Sequence, residues 1–402
     1  MAQPAGGVVD PCRPRRGGES RRQPIPPCDQ HPLIGLLRAA ADGAASVPRV
    51  QFDASAVDWA IDTGLGPVLR DLQRQRPGAV PAECVERLKA ADLTARMLSA
   101  ELFEGLDAIL RAAAEAACEV TLLKGVSVAG QWYPRPHWRP MRDIDLLVEA
   151  VEQPRFERLL RELGFRQQGR LPATFFVDHQ HSMPFFHPGR HCWVEVHRAL
   201  FREDQPAGRI AAFQPGALAA GRRRAVLGGG AVWRLDDPVQ LVYTAVHWGS
   251  RLTLVGGLVP LLDILFMLRR GGTGWDWDAV LHICANETAA RHVFVALNYL
   301  HRRELIEPPA EVWRGLARGR ASIGAGGVRI LHRIIDEFMV RGALHRGFDS
   351  EALVNMRWET LLGEGPAWRK RLQLPWRTLF PPAPAGRYSP RRHLRRLRGL
   401  LR

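Results

Sequence analysis

Residues 118–149 read CEVTLLKGVSVAGQWYPRPHWRPMRDIDLLVE, and this stretch is the most informative part of the sequence about the fold. Two short runs rich in β-type residues, CEVTLL and IDLLV, enclose a segment whose pattern predicts a helix after a glycine turn. Residues 153–165 follow with helical spacing, and Gly164 is placed to end that helix. The order strand, helix, strand, helix predicts a small α/β or α+β unit.

Two further runs extend the predicted sheet. SMPFF at 182–186 and HCWVEVH at 191–197 are separated by HPGR, whose Pro-Gly pair suits a tight turn. We therefore expect an antiparallel hairpin on the same sheet. The central unit then spans about 118–235.

The sequence on either side of this unit has a helical pattern. Apolar residues at helical spacing predict an N-terminal helical region at 31–117 and a C-terminal helical domain at 236–380, which starts at Asp236-Asp237-Pro238. Residues 1–30 are rich in Pro, Gly and Arg and predict a flexible leader. Residues 381–402 form a basic tail without an acidic residue.

Composition predicts a globular protein, since 46% of the 402 residues are hydrophobic and 24% are charged. The net charge of +15 favours an anionic partner, but only three of the 56 basic residues are lysines. Such an arginine bias is typical of a GC-rich genome. Nucleic acid therefore stays open as a partner without being favoured.

The sequence predicts a cytoplasmic protein with reduced thiols. Its six cysteines lie far apart and form no CxxC pair. The N-terminus has no continuous apolar run typical of a signal peptide. The longest apolar run, 252–268, is interrupted by two glycines, a proline and an aspartate, so we expect no transmembrane segment.

The most informative pair of residues is Asp143 and Asp145. If RDIDLLV is a strand, its period of two places both carboxylates on one face and Ile144 and Leu146 in the core. Adjacent like charges repel, and a divalent cation such as Mg²⁺ removes that conflict. A bare DxD fits an edge strand with solvated acids equally well.

The surroundings favour the metal site. LLKGVSVAG at 122–130 is a strand that enters a glycine turn and a helix, a geometry that presents backbone N–H groups to phosphates. Lys124 suits a phosphate ligand there, although a solvated lysine at a strand end also fits. Downstream, HCWVEVH places Glu195 and His197 on one strand face, and Glu195 is a third acid.

The ordered set resembles the DNA polymerase beta-like nucleotidyltransferases. More narrowly, LKG at 123–125, R-x-M-x-D-I-D-L-L-V at 139–148 and E-x-H at 195–197 resemble an uncharacterised bacterial nucleotidyltransferase family within that superfamily. The wider superfamily usually has Gly-Ser at the phosphate turn, whereas this chain has Lys124-Gly125-Val126-Ser127. The resemblance implies an α+β fold with a small mixed-sheet nucleotidyltransferase core between two helical regions.

The resemblance also implies an activity. Asp143, Asp145 and Glu195 would hold two Mg²⁺ ions, or Mn²⁺, while a nucleoside monophosphate passes from a nucleoside triphosphate (NTP) to a hydroxyl. Small-molecule, peptide and protein acceptors all stay open. The triphosphate would bind at a set of four residues: Lys124, Gly125, Ser127 and Arg139. The alternatives are an RNA-binding or RNA-tailing protein, and a non-catalytic module that retains the fold.

Other polar and aromatic residues near the motif have less specific interpretations. The histidines between 179 and 197 match no zinc spacing that we know, and His197 is expected to orient Glu195. His247 and Asp263 suggest a hydrogen bond between two C-terminal helices. The aromatic residues near the motif suit base stacking or simple packing, so we assign none of them to the base; they are Trp132, Tyr133, Trp138 and Trp193.

Overall fold

The structure is a computed structural model that describes residues 31–42, 50–169, 171–227, 230–272, 274–342 and 351–379. The predicted leader and basic tail lie outside these residues. Among the helices described, none combines the length and apolar character needed to cross a membrane.

Seven strands in the described part of the chain form one mixed sheet, in the order β3-β4-β5-β2-β1-β7-β6. Strands β1 and β7 are parallel, as are β2 and β5, and the other neighbours are antiparallel. The strands are β1 Thr121–Leu122, β2 Asp143–Leu147, β3 Arg166–Gln167, β4 Phe185–His187, β5 Cys192–His197, β6 Arg223–Leu227 and β7 Gly230–Arg234.

Helices surround this sheet, which gives the predicted mixed α+β fold. The α-helices are α1 Pro32–Asp42, α2 Ala54–Asp62, α3 Gly66–Gln75, α4 Val85–Glu115, α5 Lys124–Trp132, α6 Gln153–Glu162, α7 Pro215–Gly221, α8 Asp237–Ser250, α9 Val259–Gly271, α10 Trp277–Ile283, α11 Glu287–Arg302, α12 Ala310–Gly315, α13 Ala317–Ile334, α14 Glu351–Leu362 and α15 Ala367–Leu379. A π-helical segment, Ile335–Val340, continues α13.

The local predictions around the motif are confirmed. The chain runs β1, α5, β2, α6, and β4 and β5 pair as the predicted antiparallel hairpin. Gly164 follows α6 with a φ of 91°, a conformation that glycine adopts without strain. Asp236 caps α8 by accepting a hydrogen bond from the backbone N–H of Asp237, so this helix also begins where the sequence predicts.

Two hydrophobic cores support the fold. One lies between the central sheet and helices α4 and α6, and it contains Ile144, Leu146, Phe156 and Val194. The other joins α1 to α3 with the C-terminal helices α8 to α14. The first core packs against one face of β2 and β5, and the polar side chains of these strands lie on the other face of the sheet.

Candidate active site

Strands β2 and β5 bring two of the predicted acids opposite each other. The strands pair in parallel, and their register sets Asp145 directly across from Glu195. Ile144 and Leu146 are fully buried in the core, so β2 alternates as the sequence predicts. Asp143 and Asp145 therefore share the face that also carries Glu195.

Asp145 is the most enclosed of the three acids, with 2% of its surface exposed. Its Oδ1 accepts hydrogen bonds from Lys124 Nζ at 2.7 Å and His197 Nε2 at 2.8 Å. Burial alone would raise the pKa of Asp145, but Lys124 and His197 hold that pKa well below its usual range. Asp145 is therefore ionised at neutral pH.

Glu195 is half-buried beside Asp145 and shares its cationic neighbours. Its Oε2 lies 3.4 Å from His197 Nε2, 3.7 Å from His181 Nε2 and 3.9 Å from Lys124 Nζ. Burial and the charge of Asp145 act to raise the pKa of Glu195, whereas the His197 hydrogen bond and the nearby cations lower it below its usual value. Asp145 and Glu195 thus form a charged pair around shared donors.

Asp143 has a different environment. Burial, followed by the charges of Asp145 and Glu195, raises the pKa of Asp143 to about 7, although Lys124 and Arg139 partly offset this rise. Asp143 therefore binds a proton far more readily than an ordinary aspartate does. A further cation on this face would favour the ionised form.

The turn between β1 and α5 places Lys124 over the acids. The N–H of Leu123 donates to the carbonyl of Asp145 at 3.0 Å, which ties the end of β1 to β2. Lys124 has a φ of 42°, in the left-handed region that costs free energy for a residue with a Cβ. Burial would lower the pKa of Lys124, but Asp145 raises it above its usual value, so the ammonium stays charged.

Gly125 and Arg139 pack against each other on the other side of this turn. A Cβ on Gly125 would lie 2.6 Å from Arg139 Nη1. The Arg139 guanidinium is held from behind, because its Nε and Nη2 each donate to Asp263 at 2.9 Å. This pair of hydrogen bonds, the Arg139–Asp263 fork, holds the guanidinium close enough to Asp143 to lower the pKa of that carboxyl.

Asp263 therefore forms hydrogen bonds with other residues than His247, the partner that the sequence suggests. Besides the Arg139 fork, its Oδ1 accepts a hydrogen bond from the Tyr133 hydroxyl at 2.6 Å. The described hydrogen bonds of Asp263 thus go to Arg139 and Tyr133, and the expected bond to His247 is wrong. His247 instead lies on α8 in the field of Lys124, where burial and that charge lower its pKa to about 3.

Ser127 lies on the buried side of α5. Its Oγ and its carbonyl accept hydrogen bonds from Gln131 Nε2 at 3.1 and 2.9 Å. These bonds are local to the helix. The structure therefore brings Lys124 to the acids and leaves Ser127 outside their described hydrogen bonds.

His197 contacts the acids more directly than the sequence analysis expects. The metal-ligating atoms of Asp145, Glu195 and His197 all lie within 4.8 Å of one another. The E-x-H spacing on a strand is the signal for this cluster, because residues two apart share a face. An imidazole is thus the third group that could ligate a metal ion here, in a position where only an orienting role was predicted.

Tyr243 is a neighbour that the sequence analysis missed. It is buried on α8, and burial raises the pKa of its hydroxyl, with the cluster's carboxylates acting in the same direction. Its hydroxyl has no hydrogen-bond partner among the described residues. Nothing in the apolar pattern of α8 distinguishes this tyrosine from one that only packs.

The histidine-rich stretch divides into two groups. His187 bonds to the carbonyl of Leu163 at 3.1 Å, and His191 is exposed just ahead of β5. His179 and His181 instead pack edge to face with ring centroids 4.2 Å apart, and His181 lies 3.7 Å from Glu195. The histidines of this stretch therefore lie in two separate environments.

The acid face has the composition of a divalent-cation site. Asp143, Asp145 and Glu195 supply the carboxylate oxygens that Mg²⁺ and Mn²⁺ prefer, and His197 adds a nitrogen that suits Mn²⁺. The Lys124 ammonium provides positive charge at the same position. The donor set thus fits a divalent cation in its chemistry, while Lys124 already neutralises part of its negative charge.

The chain has similarity to one protein family and to one solved structure. A family model described as an uncharacterised nucleotidyltransferase matches residues 53–303. Among solved structures, the antibiotic-resistance factor ANT(2'')-Ia is similar at 17% identity and a TM-score of 0.33, over 49% of this chain and 95% of that chain. A TM-score this low supports no conclusion. No curated protein matches the chain.

The family match covers more than half of the chain and includes all three acids, the Lys-Gly turn and helices α8 and α9. The chain therefore belongs to the uncharacterised nucleotidyltransferase family, and the protein is a transferase.

Proposed function

We propose that the protein transfers a nucleoside monophosphate from an NTP to a hydroxyl of a small-molecule, peptide or protein acceptor, in a metal-dependent reaction. The observation that carries this proposal is the register of β2 and β5. It sets Asp145 opposite Glu195, with Asp143 on the same face. We expect the protein to act in the cytoplasm, where NTPs are available.

Asp143, Asp145 and Glu195 would hold the cation, with His197 beside them. A bound Mg²⁺ or Mn²⁺ supplies charge neutralisation for the phosphates and activates the acceptor hydroxyl. Asp145 is prepared for this role, because Lys124 and His197 keep it ionised. The raised pKa of Asp143 supports the same assignment, since a carboxyl crowded by like charges gains most from a cation.

The residues of the turn would bind the triphosphate. Lys124 contributes a charged ammonium at the start of α5, and Gly125 has no Cβ, which lets the Arg139 guanidinium lie against the turn. Arg139 is locked by Asp263, so its charge stays fixed beside Asp143 without a loss of side-chain entropy on binding. Ser127 would contribute only by turning its hydroxyl away from Gln131.

The transfer of the nucleoside monophosphate needs no reactant besides the NTP and the acceptor. The acceptor oxygen bonds to the α-phosphorus, the bond from that phosphorus to the pyrophosphate oxygen breaks, and the hydroxyl proton passes to a carboxylate of the cluster and then to solvent. Glu195 is the carboxylate that would complete the site on the acceptor side. His197 holds Glu195 in place through its 3.4 Å contact.

A cavity of about 580 Å³, whose lining includes His179, would hold the acceptor. The His179 ring lines this cavity and meets the His181 ring edge to face, and His181 contacts Glu195. Acidic and basic side chains both line the wall, among them Asp178 and Arg198. A polar acceptor that carries hydroxyl groups suits such a wall better than an apolar one.

The test is a screen of the purified protein with Mg²⁺ or Mn²⁺ and each NTP in turn, which measures NTP binding and pyrophosphate release. We expect both signals for at least one NTP, and we expect Asp145→Asn to remove them. Glu115→Gln, which changes an exposed carboxylate at the end of α4, is the matched control. Binding or release that Asp145→Asn leaves unchanged would contradict the proposal.

A further inference from the structure

A second cavity, of about 770 Å³, lies among α11, α12, α13 and the π-helical segment. Its lining shares no residue with the acid cluster on β2 and β5. Two carboxylates, Asp336 and Glu337, face it. Six arginines face it as well: Arg302, Arg303, Arg320, Arg329, Arg333 and Arg341.

The carboxylates are already in ion pairs. Asp336 pairs with Arg303, and Glu337 pairs with Arg341. The remaining four arginines are exposed and make no ion pair with any residue that the structure describes; they are Arg302, Arg320, Arg329 and Arg333. The cavity therefore has a surplus of positive charge that its own walls do not neutralise.

A buried imidazole lacks a partner in the same cavity. His332 lines the wall and is only 8% exposed, and its Nε2 has no hydrogen-bond partner within the described residues. Burial, together with the charges of Arg302 and Arg303, lowers the pKa of His332 to about 4. At neutral pH the ring is uncharged, and its buried Nε2 is a polar atom that the described residues leave without a hydrogen bond.

The walls of this cavity are held in place by close helix packing. A Cβ on Gly319 of α13 would lie 2.6 Å from the backbone of Ala290 on α11, so the two helices are in direct contact. Helix α13 is interrupted at Gly324, where φ is 75°, and then continues into the π-helical segment. Such irregular turns are frequent at functional sites, because they redirect side chains that a regular helix would place elsewhere.

We propose that this cavity binds a small molecule that carries phosphate groups, as a nucleotide or an inorganic polyphosphate does. A guanidinium group can donate two parallel hydrogen bonds to two oxygens of one phosphate. Four guanidinium groups without an ion pair carry more positive charge than one carboxylate of a ligand would neutralise, so a ligand with several phosphate charges fits better. The volume suits a ligand of nucleotide size. Trp313 and His301 pack at the wall with ring centroids 5.1 Å apart and provide an aromatic surface for a base.

The experiment measures binding of tripolyphosphate and of ATP to the full chain by calorimetry, with EDTA present so that no divalent cation contributes. Arg329→Gln/Arg333→Gln should weaken binding at least about tenfold, because two of the four unpaired guanidinium groups are lost. The matched control is Arg314→Gln/Arg318→Gln, since these arginines are exposed on α12 and α13 but do not line the cavity. The control should bind like the parent.

Equal loss in both double variants would overturn the proposal, because it would show a general effect of net charge. His332→Leu tests the unpaired nitrogen and should weaken binding while the charge at neutral pH stays the same. Tighter binding of ATP would identify a nucleotide, and equal binding an inorganic polyphosphate. If neither probe binds below millimolar concentration but a short single-stranded RNA does, the cavity is part of a nucleic-acid surface and the small-molecule assignment is wrong.

Discussion

The ammonium of Lys124 lies 2.7 Å from Oδ1 of Asp145, so a positive charge of the chain itself occupies the acid cluster. The same ammonium is 3.9 Å from Glu195. A divalent cation at these carboxylates would have to share them with Lys124 or displace it. The Lys124 ammonium and a divalent cation would therefore compete for the same carboxylates.

Replacing Lys124 by Met should tighten Mn²⁺ binding about tenfold, because a competing cation is removed from three carboxylates. The same change should destabilise the metal-free protein by about 3 kcal/mol, since it leaves buried carboxylates without their partner. Calorimetric Mn²⁺ titration and thermal unfolding measure the two effects. Lys89→Met, which removes an exposed lysine paired with Glu86, is the control. Mn²⁺ affinity equal to that of the parent would show that Lys124 does not compete.

Mg²⁺ or Mn²⁺ should stabilise the folded protein. At millimolar concentration and a sub-millimolar dissociation constant, the gain should be on the order of 1 kcal/mol. Asp143→Ala and Asp145→Ala should each abolish the metal-dependent rise in melting temperature. An unchanged rise in both variants would place the cation elsewhere.

Glu195→Gln should keep NTP binding but reduce turnover by about 10² or more, because the amide preserves the shape of the side chain and loses its charge. Binding and pyrophosphate release, measured on the same preparation, separate the two effects. Turnover at the parental rate would reduce Glu195 to a structural acid on β5.

The pKa of Asp143 predicts a pH dependence of stability without metal. Its folded pKa, about 7, is above the ordinary value of 3.8, so between these values the folded state holds a proton that the unfolded state has lost. Stability should therefore fall as pH rises from about 4 to about 7. Asp143→Asn should remove this slope and be more stable than the parent at pH 8, on the order of 2 kcal/mol in EDTA. Parallel stability curves for the two proteins would contradict the assigned environment.

Gly125→Ala should destabilise the protein by about 1–2 kcal/mol and weaken triphosphate binding, because the new methyl group would meet Arg139 Nη1 at 2.6 Å. The guanidinium cannot easily move away, since Asp263 holds two of its nitrogens. Gly78→Ala is the control, because a Cβ there would meet nothing within 4 Å. Unfolding by denaturant and equilibrium NTP binding are the measurements.

The features that can be predicted from the sequence are local. The period of two in RDIDLLV places Asp143 and Asp145 on one face, and the Pro-Gly turn predicts the β4–β5 hairpin. The helix limits at Gly164 and Asp236 follow from backbone and capping preferences. Each of these needs only a few neighbouring residues.

The features that could not be predicted depend on distant parts of the chain. The pairing of Asp145 with Glu195 joins strands whose register is set by the packing of the whole sheet. The fork between Arg139 and Asp263 spans 124 positions. The contact of Lys124 with Asp145 depends on the left-handed backbone at Lys124, for which a lysine gives no signal.

The fork also determines whether the sheet region can be isolated. Arg139 belongs to the turn that supports the acids, and its carboxylate partner, Asp263, belongs to α9 in the C-terminal helices. A fragment cut to residues 118–235 would retain the three acids but leave a guanidinium facing the space from which α9 had been removed. The sheet region that carries the three acids is therefore not expected to be stable on its own, because it needs the helix whose Asp263 pairs with Arg139.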